Sequence, residues 1–248
     1  VKNRLRIDQL LVDRGLAPSK ARAQALVLAG QVQAGGKKID KAGTLVPDDS
    51  VVEVAGADHP YVSRGGVKLA GALDAFAVDP TGLTCLDVGA STGGFSDCLL
   101  QRGAAKVFAV DVGYGQLAHK LRVDPRVVTM ERTNARALDA GALGGAVDLT
   151  VVDASFIGLG KLLPAIAACT RIGGELVALV KPQFEVGREE ATRAQGVIRD
   201  TAVRASAIEA ARAELGPAGF LGLGLVDCVL PGPKGNLEAF LHARRVAE

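Results

Sequence analysis

Between Thr84 and Phe95 the chain reads T-C-L-D-V-G-A-S-T-G-G-F, and this stretch restricts the fold more than any other. Apolar residues run into Asp87, then Gly89, Gly93 and Gly94 crowd into six positions before an apolar-periodic segment opens at Phe95. That order predicts a buried parallel strand, a tight loop and a helix N-terminus, the place where an open α/β sheet takes a ligand. The glycines allow unusual dihedrals and close backbone approach, and free amides at a helix start favour a polar or negative group.

Three readings stay open on this stretch alone. A strand ending in D-x-G with glycines further on suits S-adenosylmethionine; a nucleotide is the second reading, and a tight turn without a ligand is the third. The spacing departs from the G-x-G-x-x-G of dinucleotide binders, because its second glycine is missing. Downstream, strand and helix patterns alternate. Lys106 to Val110 ends at Asp111, about two dozen residues after Asp87, where an acid can receive ribose hydroxyls. Val127 to Met130 leads to Asn134, Leu149 to Val152 ends at Asp153, and a helix from Leu159 to Ala168 precedes a strand from Glu175 to Val180 that ends at Lys181. Asp87, Asp111, Asp153 and Lys181 are thus expected at strand carboxyl ends, where such sheets build sites. A helix from Arg199 to Leu215 and an antiparallel hairpin of Gly219 to Val229 with Leu237 to Leu241 complete the pattern and are expected to add edge strands. Residue physics leaves Glu238 on the solvent face or directed into a site, and Lys68, on a helix from Val67 to Phe76, reads as a surface lysine.

At 248 residues the chain holds one large domain and a small appendage. Net charge is only +2, but through Lys41 there are nine Lys and Arg against three Asp and Glu, with twenty against twenty-four in the remainder. A basic N-terminal module is therefore expected to read a polyanion. In it, Ile7, Leu10 and Leu11 share a helical face closed by Gly15. Ser19 caps a second helix with Ala21, Ala25, Leu26 and Leu28 on its apolar side; a short hairpin spans Val32 to Ile39 across Gly35-Gly36, and Ser50 to Val54 reads as a strand. Gly56 to Pro60 reads as a linker. Cys85, Cys98, Cys169 and Cys228 lie too far apart for a metal cluster and read as reduced thiols of a cytosolic protein. No cationic and apolar leader stands at the start, which argues against secretion, and no apolar run approaches the roughly 18 residues of a membrane span.

The N-terminal order Arg6-Ile7-Asp8-Gln9-Leu10-Leu11, Ser19-Lys20-Ala21-Arg22-Ala23, Gly30, Val32 and Gly35 is similar to the S4 RNA-binding domain over residues 4 to 55. Lys20 departs from its usual arginine and so lacks the fixed donor fork. From Tyr61 to Phe240 the chain resembles the FtsJ-like ribose 2'-O-methyltransferases. The runs Ser63-Arg64-Gly65-Gly66-Val67-Lys68-Leu69, Asp111-Val112-Gly113-Tyr114-Gly115-Gln116-Leu117, Glu131-Arg132-Thr133-Asn134-Ala135-Arg136 and Val180-Lys181-Pro182-Gln183-Phe184-Glu185, joined to an S4 module, resemble the TlyA family.

The resemblance implies a Rossmann-like class I S-adenosylmethionine-dependent methyltransferase α/β sheet over residues 61–248 and a small α+β S4 domain with linker over residues 1–60. It implies methylation of a ribose 2'-hydroxyl of ribosomal RNA, a cytidine of 16S or 23S rRNA or both, within ribosomal subunits in the cytoplasm, without DNA, metal or stable membrane association. A homodimer is left open. The implied tetrad is Lys68, Asp153, Lys181 and Glu238. Cofactor contacts are expected from Asp87, Gly89, Ser91, Gly93, Gly94, Phe95, Asp111, Asn134 and Asp153, and RNA contacts from Arg4, Arg6, Lys20, Arg22, Lys37, Lys38, Lys41 and Arg64. Two readings of other classes remain: a noncatalytic ribosome-binding or assembly factor, against which the intact tetrad speaks, and a hemolysin, which needs an apolar or amphipathic cationic segment not evident here; a nicotinamide oxidoreductase is disfavoured by the absent G-x-G-x-x-G.

Overall fold

In a computed structural model the chain divides into two compact units, Val1–Pro60 and Tyr61–Glu248. The structure describes residues 4–247 except 15, 18, 49, 55–58, 233 and 234. Gly15, most of the expected linker and the tip of the C-terminal hairpin lie outside the described residues.

The first unit contains β1 (Arg4–Arg6), α1 (Ile7–Asp13), α2 (Lys20–Leu28), β2 (Val32–Ala34), β3 (Lys37–Ile39), β4 (Leu45–Pro47) and β5 (Val52–Val54). Ser19 caps α2 by accepting the Arg22 N–H at 3.2 Å. Strand β2 is central between β3 and β5, and β1 pairs with β4. The α2 face that enters the core is Ala23, Leu26 and Val27, whereas Ala21, Ala25 and Leu28 face outward. Two apolar stripes share this helix, and packing against Ile7, Leu10 and Leu11 selects between them. Lys20, Arg22, Lys37, Lys38 and Lys41 are exposed.

Arg6, one of the expected RNA contacts, is half-exposed and also has an internal partner. Its Nε and a terminal nitrogen donate to the two oxygens of buried Asp8, at 3.0 and 2.7 Å. That hydrogen-bonded guanidinium holds the Asp8 carboxyl well below the usual carboxylate range. Arg4 donates to the Leu45 carbonyl at 2.8 Å.

The second unit runs α3 (Arg64–Phe76), β6 (Thr84–Val88), α4 (Gly94–Gln101), β7 (Lys106–Val110), α5 (His119–Arg122), β8 (Val127–Met130), β9 (Val147–Val152), α6 (Leu163–Cys169), β10 (Thr170–Val180), α7 (Pro182–Glu185), α8 (Arg188–Arg193), α9 (Thr201–Ala213), β11 (Phe220–Asp227) and β12 (Ala239–Arg245). Among the described residues, seven strands form one sheet in the order β11-β12-β10-β9-β6-β7-β8. The five from β10 to β8 are parallel, and β12 is antiparallel to both β10 and β11. The hairpin therefore contributes one edge strand, β11; β12 is interior, and its run Ala239 to Ala243 is buried. Apolar clusters cover both faces of the sheet.

Because β6 lies between β7 and β9, the chain leaves it in one direction and returns on the other side. This topological switch opens a crevice at the carboxyl ends of the strands. Helix α3 reaches α4 over glycines: a Cβ at Gly94 would sit 2.2 Å from Ser63 Oγ and 3.0 Å from the Gly66 nitrogen. The segment before α3 is tied down by the Val62 N–H, which donates to Asp97 Oδ2 at 2.7 Å. Gly94→Ala is therefore expected to push α3 from α4 and destabilise this unit by about 1–3 kcal/mol, read as a lower denaturant midpoint with an unchanged slope. A midpoint equal to that of the parent would remove the close-contact argument.

Candidate active site

The loop after β6 is bent by Gly89, at φ 88°, and crosses towards β7, where the Gly89 and Ala90 N–H groups donate to the Val110 carbonyl. Asp111, just past β7, accepts from the Ser91 N–H at 2.8 Å and from the Gly113 N–H at 2.7 Å. Beside these groups lies a cavity of about 500 Å³ whose wall includes Gly89, Ser91, Asp111, Asn134 and Asp153. Ser91 holds a left-handed backbone at φ 49°, a conformation favoured only when the surroundings enforce it. Asn134 Oδ1 is used locally, accepting the Arg136 N–H at 3.1 Å.

Four expected cofactor contacts do not line this cavity. Asp87 is the fourth of five residues in β6. The pleat turns it with Cys85 towards α4, opposite to Leu86 and Val88, which belong to the other face's cluster. It is fully buried, and its Oδ2 accepts from the Ser96 N–H at 2.9 Å and the Ser96 hydroxyl at 2.7 Å. Gly93, Gly94 and Phe95 are buried behind the loop: a Cβ at Gly93 would strike Leu121, and Phe95 packs its ring 6.0 Å from that of Phe240. These four residues shape the loop and anchor its helix.

A second cavity, of about 1090 Å³, shares Ser155, Phe156 and Ile157 with the first and is lined by Lys181, Gln183, Phe184, Glu185, Asn236 and Glu238 among others. Lys181 and Asp153 join the two. The Lys181 ammonium lies 2.6 Å from Asp153 Oδ1 as a charge contact and donates a hydrogen bond to Ser155 Oγ at 2.9 Å. Glu238, immediately before β12 and 2 % exposed, forms a buried ion pair with Lys68 of α3. Lys68 is thus an interior residue, contrary to the surface position that residue physics alone suggests. The Cys228 thiol is pushed up chiefly by burial, with the charges of Lys68, Glu238 and Asp153 within electrostatic reach. Arg64 donates to the Pro231 carbonyl at 3.2 Å.

Sequence reasoning did not single out Ser155, Phe156 or Gln183. Phe156 is 91 % exposed with φ 66°, its ring 5.3 Å from that of Phe184 at the rim shared by the cavities. The available signals were position alone: D-A-S-F follows β9 as K-P-Q-F follows β10.

Residues 61–245 match the family model FtsJ-like methyltransferase, and residues 5–52 match the S4 domain. The chain belongs to the FtsJ-like methyltransferase family. It is TlyA-like within that family, with the S4 domain fused at the N-terminus. It is 49 % identical over 97 % of its length, and 90 % of the relative's, to the Mycobacterium tuberculosis 16S/23S rRNA (cytidine-2'-O)-methyltransferase TlyA. A Streptococcus thermophilus structure carrying a hemolysin label superposes at TM-score 0.78 with 38 % identity, covering 100 % of this chain and 90 % of that one. Geranyl diphosphate C-methyltransferase of Streptomyces coelicolor A3(2), at 16 % identity and TM-score 0.51, covers 72 % of this chain and 78 % of its own; it shares the class I methyltransferase sheet. Among the described residues no helix is long and apolar enough to cross a membrane, and no cluster of His, Cys, Asp and Glu has the makings of a metal site.

Burial pushes the Asp87 carboxyl up to about 7, with the Ser96 hydrogen bonds opposing and the Asp153 charge adding to it. A carboxyl raised in the folded state keeps its proton after the unfolded chain has lost it. Its contribution to stability is therefore complete below about pH 4 and is lost as pH rises towards 7. Asp87→Asn is expected to flatten that decline, so its unfolding free energy should gain on the parent's between pH 4 and 8, by a few kcal/mol at most. Parallel pH profiles for the two proteins would refute a neutral buried carboxyl.

Proposed function

We propose that this chain transfers a methyl group from S-adenosylmethionine to the ribose 2'-hydroxyl of a cytidine in ribosomal RNA, of the small subunit, the large subunit or both. The observation that carries the reading is the Asp153–Lys181 contact at 2.6 Å, set where a cavity suited to a cofactor opens into a second one suited to an acceptor.

The first cavity fits the cofactor in size and in charge. Its volume of about 500 Å³ lies in the range of small-molecule sites. Asp111 and Asp153 on its wall favour a ligand bearing a cationic centre. Asp111 is positioned to accept from ribose hydroxyls, and the Gly89 to Ser91 loop brings backbone against the ligand. When bound, the cofactor supplies an electrophilic methyl group on a sulfonium, so no metal is needed to activate the leaving group.

The protein's task is to present a poor nucleophile in line and to receive its proton. Lys181 lies against the Asp153 carboxylate and donates to Ser155, which leaves it hydrogen-bonding capacity for the acceptor hydroxyl. That hydroxyl is thereby oriented at the junction of the cavities; as a free amine Lys181 takes the hydroxyl proton on its nitrogen lone pair as the methyl group arrives, and as an ammonium it holds the oxygen while the proton is lost late to water. Glu238 and Lys68 complete the polar wall. The rings of Phe156 and Phe184 offer an apolar ledge for a base taken out of its stack.

The S4 unit supplies attachment. Its exposed cations Lys20, Arg22, Lys37, Lys38 and Lys41 are suited to RNA phosphates. Ribosomal subunits in the cytoplasm are the substrate in this reading; DNA, which lacks the 2'-hydroxyl, is not.

Mapping ribose methylation on ribosomal RNA from cells with and without the gene tests the reading, since a methylated 2'-oxygen protects its neighbour from alkaline cleavage. Loss of protection at no nucleotide would reject it. Lys181→Ala should reduce the methylation rate about 100-fold or more while cofactor binding persists, and adding Asp153→Ala should cost little further, as for groups that act together. Fully additive losses would separate the two roles. Lys68→Ala differs in kind: it strands a buried Glu238 and should lower stability by about 3 kcal/mol or more, seen in thermal unfolding. Replacing the five S4 cations with glutamine should weaken ribosome binding most at low salt; equal affinities across a salt titration would move the anchor elsewhere.

A further inference from the structure

Asp153 and Lys181 stand on two segments that leave the sheet side by side, one after β9 and one after β10. The parallel pairing of these strands ends where Ala178 meets Val152. Beyond that point Ala154 and Ile157 pack onto the core, but among the described residues no N–H from Ala154 to Gly158 donates to a backbone carbonyl. The segment also carries Phe156 in the left-handed region at φ 66°, a conformation that a bulky residue keeps only when its surroundings impose it. Ser155, which accepts a hydrogen bond from Lys181 at 2.9 Å, lies in this stretch. Side chains must therefore fix where its hydroxyl stands.

Contacts from the segment after β10 cross to it in order. Lys181 meets Asp153 at 2.6 Å and Ser155 at 2.9 Å, and the Phe184 ring lies 5.3 Å from that of Phe156. At the end of α7, Glu185 Oε1 accepts the Leu159 N–H at 2.9 Å, where a short helical turn, Leu159–Lys161, begins. That bond grips backbone, and Gly158 is drawn in with it: a Cβ there would lie 2.9 Å from Glu185 Oε2 and 3.4 Å from the Phe184 carbonyl oxygen. Burial raises the Glu185 carboxyl, with the Leu159 N–H opposing and the Glu214 charge adding to it. Its surroundings disfavour a charge and make use of an acceptor.

We propose that Glu185 is a positioning residue for the transfer: by holding the Leu159 N–H it fixes the far end of the segment from Ser155 to Gly158, and so keeps the Ser155 hydroxyl where it orients the Lys181 amine. This inference rests on the methyltransferase reading and adds the residue that sets the geometry of its central contact. Small displacements matter here, because a shift of about 1 Å in a reacting group can cost about 100-fold in rate. Released from Glu185, the strained turn at Phe156 is free to relax, and Ser155 moves with it.

The test uses the full-length protein, ribosomal subunits and saturating cofactor, and two substitutions that separate reach from charge. Glu185→Gln keeps the length and an acceptor but drops the charge, and should transfer at the parent's rate. Glu185→Asp keeps the charge but withdraws the acceptor by one methylene, and should lose about tenfold or more in kcat. KM for the subunits should stay unchanged, since attachment is assigned to the S4 cations. In a Ser155→Ala background the cost of Glu185→Asp should largely vanish, because the contact through which Glu185 acts is already gone. The Leu159 amide should resist hydrogen exchange in the parent and in Glu185→Gln; free exchange in either would overturn the bond even if the aspartate variant fails to fold. A rate lost in Glu185→Gln but kept in Glu185→Asp would assign the role to charge and overturn the proposal. An undiminished Glu185→Asp rate, or a loss that persists in full without the Ser155 hydroxyl, would overturn it too. Each of these leaves transfer by the parent, and with it the methyltransferase reading, standing, whereas no transfer by the parent to any ribosomal RNA would end both.

Discussion

The site depends on how closely the loop after β6 passes the end of β9. At Gly89 a Cβ would lie 2.7 Å from the Asp153 carbonyl oxygen, so only glycine lets the two backbones meet there. The Asp153 N–H in turn donates to the Val88 carbonyl at 2.9 Å, which locks the β9 terminus to the β6 terminus. This contact sets Asp153 on the wall of the smaller cavity while its carboxylate reaches Lys181 from β10. A looser loop would separate the ligand cavity from the amine that serves it.

Strand ends were legible because a charged residue interrupting an apolar run is a strong signal in a buried parallel sheet. Asp111 and Asp153 each follow the last strand residue, and both reach the cavity. Asp87 looks the same in sequence but lies one residue inside its strand, and the period of two turns it to the opposite face, into α4. The α2 face failed for a related reason: alanine-rich stripes at helical spacing point both ways, and only tertiary packing distinguishes Ala23 and Val27 from Ala21 and Leu28. Lys68 and Glu238 were the least legible from residue physics. They are 170 residues apart in the chain, and no local pattern announces that each is the other's partner; only the family resemblance marked them.

Buried charge at the two pairs is distributed differently. Lys68 and Glu238 are almost wholly withdrawn from water, with side-chain exposures of 9 % and 1 %, while Lys181 and Asp153 retain 12 % and 25 %. A fully buried pair is costly to disturb and suits a fixed wall. A partly solvated one tolerates changes of partner, as a group must if it is to exchange hydrogen bonds with an incoming hydroxyl.

The acidic lining of the smaller cavity adds a direction to the reaction. Asp111 and Asp153 favour a cationic ligand over a neutral one of the same shape, and methyl transfer converts a sulfonium into a neutral thioether. Walls of that charge attract the sulfonium form more strongly than the neutral thioether. Asp87 tempers this bias. Burial pushes its carboxyl up to about 7, so near neutral pH it adds less than a full negative charge behind the loop.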